Sequence, residues 1–210
     1  MVQPAILNSE AHKNVKIKLG RGAEFGEAVH MVPVTARELQ SLAVEYPIFF
    51  IKNSETEQYE LNVMLGFEAG ENLLLDGDQW DAQYLPLHVL RQPFMIARQK
   101  KSPESEETEV VISLDMDSPR VNETDGVALF NEDGSPAPVI EDIDRILSDL
   151  MKGNEQTKLF IDTLTELDLI EAANLDINFS QEDQRRYQGC FTVSAEKLRA
   201  LKGEQLENFH

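Results

Sequence analysis

The chain has 210 residues, which is enough for one domain or for two closely packed lobes. Its 41% hydrophobic and 27% charged residues are typical of a folded soluble protein. The 38 acidic side chains outnumber the 19 basic ones and give a net charge of −19, which repels phosphate backbones and anionic lipid. We therefore expect neither nucleic acid nor a membrane as a partner.

The predicted compartment is the cytoplasm. The first thirty residues lack the apolar stretch of a secretory signal, and the longest apolar run, residues 46–51, is too short to cross a bilayer. Cys190 is the single cysteine, so no intramolecular disulfide can form, as is usual in a reducing compartment. We predict a cytoplasmic protein without membrane insertion.

The N-terminal elements are predicted mainly as strands. Residues 15–19 alternate lysine with apolar residues, which favours an edge strand, and residues 29–34 form a second short strand. Thr35 and Glu38 have the spacing of a capping box, which predicts a short helix that ends before Pro47. Three more strands are predicted at 48–52, 61–67 and 94–98.

The middle of the chain is strongly acidic. Residues 99–109 are polar, contain a proline and predict an exposed loop. Short strands are expected at 110–114 and 127–130. Residues 102–149 hold fourteen acidic and two basic side chains, a net of −12.

Helices are expected to dominate the rest. Apolar residues recur on one helical face over 140–150, and Gly153 is expected to end that helix. A second helix is predicted at 160–167, and a final helix begins at Ser194 and runs through Leu206. Two short strands are predicted between them, at 177–179 and 191–193.

This order predicts an α+β fold, with a mixed or mostly antiparallel sheet in the N-terminal two-thirds and a helical C-terminal third. We expect residues 1–210 to form a single domain. The alternative is two lobes, 1–98 and 110–210, joined by the polar loop 99–109.

Two local patterns resemble ligand loops but fail in detail. The run from Gly20 to Gly26 follows a strand like a dinucleotide loop, yet its third glycine is one residue late and Pro33 interrupts the expected helix, which favours a simple turn. Four residues have the spacing of calcium ligands in a calcium-binding loop, but Pro136 stands where such a loop requires glycine. This favours solvated acidic turns. Those four residues are Asn131, Asp133, Ser135 and Asp142.

No catalytic or metal-binding motif emerges. The histidines at 12, 30, 88 and 210 have no metal-ligand spacing, and Cys190 has no pattern of an activated nucleophile. We predict no catalytic residues, no metal site and no cofactor.

One region is rich in rings, prolines and isolated charges, and it predicts a ligand cleft. Large rings provide contact area and a few charges orient a ligand. The alternative is that the rings fill a core, that the prolines set turns and that Arg91 bridges loops. The predicted cleft residues are Glu45, Tyr46, Trp80, Asp81, Tyr84, Arg91 and Phe94.

The same region resembles the SapC family. The similarity lies in E-Y-P-I-F-F at 45–50, G-E-N-L at 70–73, W-D-A-Q-Y-L-P at 80–86 and R-Q-P-F at 91–94. It continues in L-F-N-E-D-G-S-P-A-P at 129–138, D-L-I at 168–170 and G-C-F-T-V-S-A-E-K-L at 189–198.

The resemblance implies a bacterial protein of a family named for a link to surface-layer transport. Members are associated with flavin-dependent, tryptophan-halogenase-like enzymes and with outer-membrane transporters, so a flavoenzyme or a transport system is an implied partner. The family pattern transfers no catalytic residues to this chain.

Our leading hypothesis is a non-catalytic cytoplasmic binding or accessory protein that holds a peptide or a small metabolite in the aromatic cleft. The alternative is an enzyme, an oxygenase or an amino-acid-modifying protein, with an unrecognised metal or cofactor site. A bound cofactor or displaced carboxyl pKa values would distinguish the enzyme.

Overall fold

The computed structural model describes residues 3–102, 105–180 and 184–203. The strands in chain order are β1 (Pro4–Ile6), β2 (Lys16–Ile17), β3 (Met31–Pro33), β4 (Ile48–Lys52), β5 (Tyr59–Met64), β6 (Leu75–Asp76), β7 (Gln79–Trp80), β8 (Phe94–Lys100), β9 (Thr108–Asp115), β10 (Val121–Asn122), β11 (Val127–Ala128), β12 (Ile170–Asn178) and β13 (Gln184–Val193). The α-helices are α1 (Leu39–Leu42), α2 (Leu87–Leu90), α3 (Pro138–Glu166) and α4 (Ala195–Ala200), and short 3-10 helices occupy Ala23–Phe25 and Ala36–Glu38.

The described chain forms two compact units. The first comprises described residues within 1–30 and 66–151, and the second comprises described residues within 31–65 and 152–210. Within each unit the strands pair in antiparallel register over the described residues.

The first unit contains two three-stranded sheets, with the orders β1-β9-β8 and β10-β2-β11, and the β6–β7 hairpin. Alternation along β8 and β9 turns Phe94 and its register partner Leu114 into the core, where both are almost fully buried. The first half of α3 packs on the same core through one apolar face. Its core residues are Ile140, Ile143, Leu147 and Leu150.

The second unit is built on a five-stranded sheet with the order β12-β13-β4-β5-β3. Aromatic rings fill part of its interior: Phe50 contacts Phe160, and Tyr59 meets both Phe50 and Phe191 edge to face. Cys190 is also buried in this unit. Such rings bury a large apolar area, which stabilises the sheet.

The predicted division of the fold is wrong. The C-terminal third was expected to be helical, but it contains β12 and β13, which are 9 and 10 residues long. Polar and charged residues dominate the outer part of this hairpin, so its sequence gives a weak strand signal. Cross-strand pairing stabilises it instead, including the ion pair between Arg186 and Asp176 on opposite strands.

The two helices predicted at 140–153 and 160–167 are one helix, α3, of 29 residues. Gly153 lies inside α3, so the prediction that it ends a helix is wrong. A Cβ at Gly153 would lie 2.8 Å from Cβ of Thr35, which is fully buried. The next turn adds a polar contact, because Thr157 Oγ1 accepts a hydrogen bond from Ala36 N–H at 2.8 Å. Gly153 therefore allows the backbone of α3 to approach the Thr35 side chain closely, and it does not end the helix.

We expect Gly153→Ala to lower the free energy of unfolding by up to about 2 kcal/mol, although alanine is the better helix former. Overpacking costs about 1–3 kcal/mol and helix propensity returns about 1 kcal/mol. Urea denaturation measures the change. Asn154→Ala is the matched control, because Asn154 is the exposed neighbour in the same helix and should be neutral or stabilising. Equal stabilisation by both variants would contradict the contact with Thr35.

Other local predictions have mixed outcomes. The capping box is confirmed, because the Glu38 carboxylate accepts a hydrogen bond from Thr35 N–H at 2.8 Å. Strand β4 has the predicted bounds. The strand predicted at 15–19 was expected at the edge of a sheet, but β2 is the central strand, with β10 and β11 paired on its two sides. The final helix ends at Ala200, and Leu206 lies outside the described residues.

The ends of the polar loop 99–109 belong to the β8–β9 hairpin, where Lys101 N–H donates to the carbonyl oxygen of Glu107 at 3.0 Å. The lobes 1–98 and 110–210 stay a prediction. Over the described ranges, none of the helices has the combined length and apolar character of a bilayer-spanning segment.

Candidate ligand cavity beside Arg91

The predicted cleft residues are distributed over both compact units. Glu45 and Tyr46 follow α1 in the second unit, where both backbone N–H groups donate to the carbonyl oxygen of Leu42, at 3.0 and 2.9 Å. The Tyr46 side chain is 4% exposed. The cleft as a whole stays a prediction.

The other cleft residues lie in the first unit. Trp80 is half-buried in β7 opposite Leu75, and the exposed Asp81 donates its backbone N–H to the carbonyl oxygen of Leu74 at 2.7 Å. Tyr84 is half-buried. Phe94 is 1% exposed and belongs to the hydrophobic core of the first unit.

Arg91 follows α2 and is held by two hydrogen bonds. Its Nε donates to Nδ1 of His88 at 3.2 Å, and its Nη1 donates to the carbonyl oxygen of Phe94 at 2.8 Å. None of the ion pairs among the described residues includes Arg91. Burial lowers the pKa of its guanidinium from the usual value, because the cation has lost hydration. Since arginine stays protonated, Arg91 is a half-buried cation without an acidic partner.

His88 is set by its surroundings to be neutral at pH 7. Burial and, secondarily, the neighbouring Arg91 cation lower the pKa of His88 to about 4. The neutral ring accepts the Arg91 hydrogen bond at Nδ1, so the geometry assigns its proton to Nε2. His88 thereby orients the Arg91 side chain.

Arg91 lines a cavity of about 430 Å³ within the first unit, which we call the Arg91 cavity. This volume is in the range of small-molecule sites. Its apolar walls are Phe25, Pro93, Met95 and Pro119. Its polar walls are Arg91, Gln92, Asp115, Asp117 and Ser118, and Gly26 completes the lining.

Two carboxylates share this cavity with Arg91. Asp115 ends β9, and its Oδ1 accepts hydrogen bonds from the backbone N–H groups of Gln3 at 3.0 Å and Asp117 at 3.1 Å. Its own N–H donates to the carbonyl oxygen of Pro93 at 3.1 Å, which ties two cavity walls together. No described residue donates a hydrogen bond to Oδ2. Asp117 is exposed.

The Phe25 wall rests on a buried charged cluster that the sequence analysis missed. The Arg120 guanidinium lies over the Phe25 ring, 4.2 Å from its centroid. Arg120 Nη2 donates to Glu27 Oε1 at 2.7 Å, and both side chains are almost fully buried. Arg21 Nη1 donates to the same oxygen at 2.6 Å. No local pattern marks this cluster, because Glu27 and Arg120 are 93 positions apart.

The glycine-rich run of residues 20–26 is part of the same cluster. It contains one turn of 3-10 helix, and Gly26 ends that turn with φ 80°, in the left-handed region that favours glycine. Glu27 Oε2 accepts the N–H of Gly22 at 3.0 Å. A protein carboxylate therefore uses a backbone donor that a phosphate-binding loop would offer to its ligand.

The acidic run with calcium-like spacing is an internally bonded turn. Asn131 Nδ2 donates to Ser135 Oγ at 2.9 Å, and Ser135 Oγ donates to Asp133 Oδ1 at 2.6 Å. The Ser135 hydrogen bonds lower the pKa of Asp133. Among the described residues, no group of three or more histidine, cysteine, aspartate or glutamate side chains is arranged to hold a metal ion.

Cys190 lies in β13 of the second unit and is buried. Burial raises the pKa of the Cys190 thiol, because the thiolate would lose its hydration. The protonated thiol behaves as a small apolar side chain.

Comparison with known proteins agrees with the family resemblance. The family model described as SapC matches residues 7–210, nearly the whole chain. No curated protein and no solved structure matches it. The coverage confirms the similarity seen in the sequence motifs, and the chain belongs to the SapC family.

Proposed function

We propose that the protein is a non-catalytic binding protein that holds a small metabolite or a peptide end in the Arg91 cavity. The observation that carries this proposal is the Arg91 guanidinium, which is half-buried and has no acidic partner among the described residues. The chain has twice as many acidic as basic side chains, 38 against 19, so an arginine without an acidic partner is unexpected.

A carboxylate of the ligand would compensate this cation. Arginine presents several N–H donors in one plane, which match the two oxygens of a carboxylate. The hydrogen bonds of Arg91 within the protein use Nε and Nη1, and no described residue accepts from Nη2. The contacts to His88 and Phe94 hold the guanidinium in one orientation, which reduces the conformational entropy lost on binding.

The remaining walls fit the body of such a ligand. Phe25, Pro93 and Met95 offer apolar area, and the methionine side chain adapts to different shapes. The Arg120 guanidinium packs over the Phe25 ring, which supports a wall that is in place before a ligand binds. The site therefore has the usual composition of a metabolite pocket, apolar surface with a few placed charges.

Arg91→Gln is expected to weaken the binding of small carboxylates about tenfold to a hundredfold, because a charge-assisted hydrogen bond is lost. Isothermal titration calorimetry with L-phenylalanine and 3-phenylpropionate measures the change. Arg98→Gln is the matched control, since Arg98 is an exposed arginine of β8 and should bind like the natural protein.

Absence of binding by both probes, or equal weakening by the two glutamine variants, would refute the proposal. Mass spectrometry of the probes after incubation with the protein tests the enzyme alternative, because a bound ligand stays unchanged in a binding protein.

We extend the proposal to a cytoplasmic location and to a partner. The single cysteine supports a reducing compartment. The family resemblance supports a flavin-dependent halogenase-like enzyme or a surface-layer transport system as the protein that receives the ligand. An accessory role of this kind needs binding and release but no chemistry at the Arg91 cavity.

A further inference from the structure

We infer that the ligand of the Arg91 cavity is a zwitterion with an apolar side chain, of the kind presented by a free amino acid or a short unblocked peptide. This inference rests on the proposed function and adds a second charge to the ligand. The inference is based on the charges of the cavity lining: Arg91, Asp115 and Asp117 line the same cavity, and Arg91 forms no ion pair with either aspartate.

The two carboxylates have capacity for an ammonium group. Backbone N–H groups of Gln3 and Asp117 occupy Oδ1 of Asp115, and no described residue donates to its Oδ2. Neither Asp115 nor Asp117 takes part in an ion pair among the described residues. An ammonium has three donors and binds well where carboxylate oxygens converge.

The charge balance of the cavity also favours a zwitterion over a simple anion. One arginine and two aspartates give the lining a net charge of −1, so a carboxylate without an ammonium would be repelled by the two aspartates. A simple amine would in turn be repelled by Arg91. A ligand with both groups satisfies both sides, since its carboxylate faces Arg91 and its ammonium faces Asp115 and Asp117.

The apolar walls indicate the third feature of the ligand. Phe25, Met95 and Pro119 suit an aliphatic or aromatic side chain, which would be removed from water on binding. The Phe25 ring favours an aromatic side chain in particular, because aromatic rings pair edge to face or offset-stacked. L-Phenylalanine carries all three features and is the reference probe.

The test compares L-phenylalanine with N-acetyl-L-phenylalanine and L-phenylalaninamide by calorimetry on the full chain. We expect each blocked probe to bind about tenfold or more weakly than L-phenylalanine, because each lacks one of the two charges. The dipeptide L-phenylalanyl-L-alanine separates the two sources: tighter binding than L-phenylalanine assigns the site to a peptide, and weaker binding assigns it to a free amino acid.

A charge-removing variant locates the ammonium. In Asp115→Asn with Asp117→Asn, the preference for L-phenylalanine over its N-acetyl derivative should fall from about tenfold to near unity. Asparagine at position 115 keeps an Oδ1 acceptor for the N–H groups of Gln3 and residue 117. Asp117→Asn alone removes only the exposed carboxylate and provides a milder variant. The control is Asp76→Asn with Asp78→Asn, which removes the same charge from exposed positions of the same unit and should keep the preference.

The outcomes separate the two proposals. If N-acetyl-L-phenylalanine and 3-phenylpropionate bind as tightly as L-phenylalanine and depend on Arg91, the zwitterion is refuted and the proposed function stands. If L-phenylalaninamide binds as tightly as L-phenylalanine, the role of Arg91 in both proposals is refuted. If no probe binds, both proposals fail.

Discussion

Arg120→Met is expected to lower the free energy of unfolding by about 3–5 kcal/mol, the largest effect of any single substitution considered in this protein. Arg120 is 3% exposed and Glu27 is 1% exposed. Methionine fills a similar volume but leaves the Glu27 carboxylate with Arg21, whose side chain is 24% exposed, as its remaining cation. Removing one partner of such a pair costs more than the pair itself contributes, because the remaining charge is desolvated.

The loss extends beyond the ion pair. Arg120 Nη1 donates to the carbonyl oxygens of Lys18 and Gly20, both at 3.1 Å, and Nη2 also donates to Gly20. Lys18 lies two residues before the glycine-rich run, and Gly20 is its first residue. Burial lowers the pKa of Arg120, whereas Glu27 raises it, so the carboxylate offsets part of the desolvation cost of the cation.

The control for Arg120 is Arg145→Met. Arg145 also pairs with a carboxylate, Asp142, but the side chains of this pair are 76% and 64% exposed. An exposed pair contributes about 0–1 kcal/mol, so this variant should unfold almost like the natural protein. Urea denaturation of both variants gives the comparison. A loss below about 1 kcal/mol in Arg120→Met would show that Arg120 is not an anchor of the first unit.

The same variant tests how the Arg91 cavity is supported. Since Arg120 lies over the Phe25 ring, its loss should also weaken ligand binding without removing a ligand contact. Arg120 acts through Phe25 and is a positioning residue. The sequence offered no means of linking these residues, because they lie on segments that meet only in the folded chain.

Local rules explain what the sequence predicted well. The capping box at Thr35 and Glu38 needs only four consecutive residues, and its hydrogen bond is present. Strand β4 combines β-branched and aromatic residues, and Pro47 before it ends the preceding helix. The family was identified from ordered short motifs, and the family model covers residues 7–210.

Non-local contacts explain the errors. Gly153 has the sequence features of a helix terminator, but its neighbour in space is Thr35. The strands β12 and β13 contain many polar residues, and pairing with each other determines their conformation. The local patterns of a single sequence do not show which distant segments will be adjacent in the fold.

The Arg91 cavity shows the same limit. Its walls come from residues 25–26, 91–95 and 115–119, three segments that are not contiguous in the sequence. The sequence identified Arg91 because it stands among rings and prolines. No local pattern links Asp115 and Asp117 to Arg91, since their place in the same cavity depends on the pairing of β8 with β9.

A histidine beside Arg91 makes the stability of the first unit depend on pH. The pKa of His88 is about 4 in the folded protein and about 6.5 in an unfolded chain. Between these values the unfolded state binds the additional proton, so the stability contributed by neutral His88 is complete above pH 6.5 and falls as the pH is lowered toward 4. Protonation would also place a second cation against Arg91 and remove its hydrogen-bond acceptor at Nδ1.

We expect His88→Asn to lose about 3 kcal/mol less stability than the natural protein between pH 7 and pH 4. Asparagine places an oxygen near the position of Nδ1, so it can still accept from Arg91 Nε, but it does not titrate. Carboxylates elsewhere contribute equally to both proteins, and the difference between their urea denaturation curves isolates His88. An NMR titration of the imidazole gives an independent value, and a midpoint near 6.5 would refute the desolvated environment of the half-buried His88 ring.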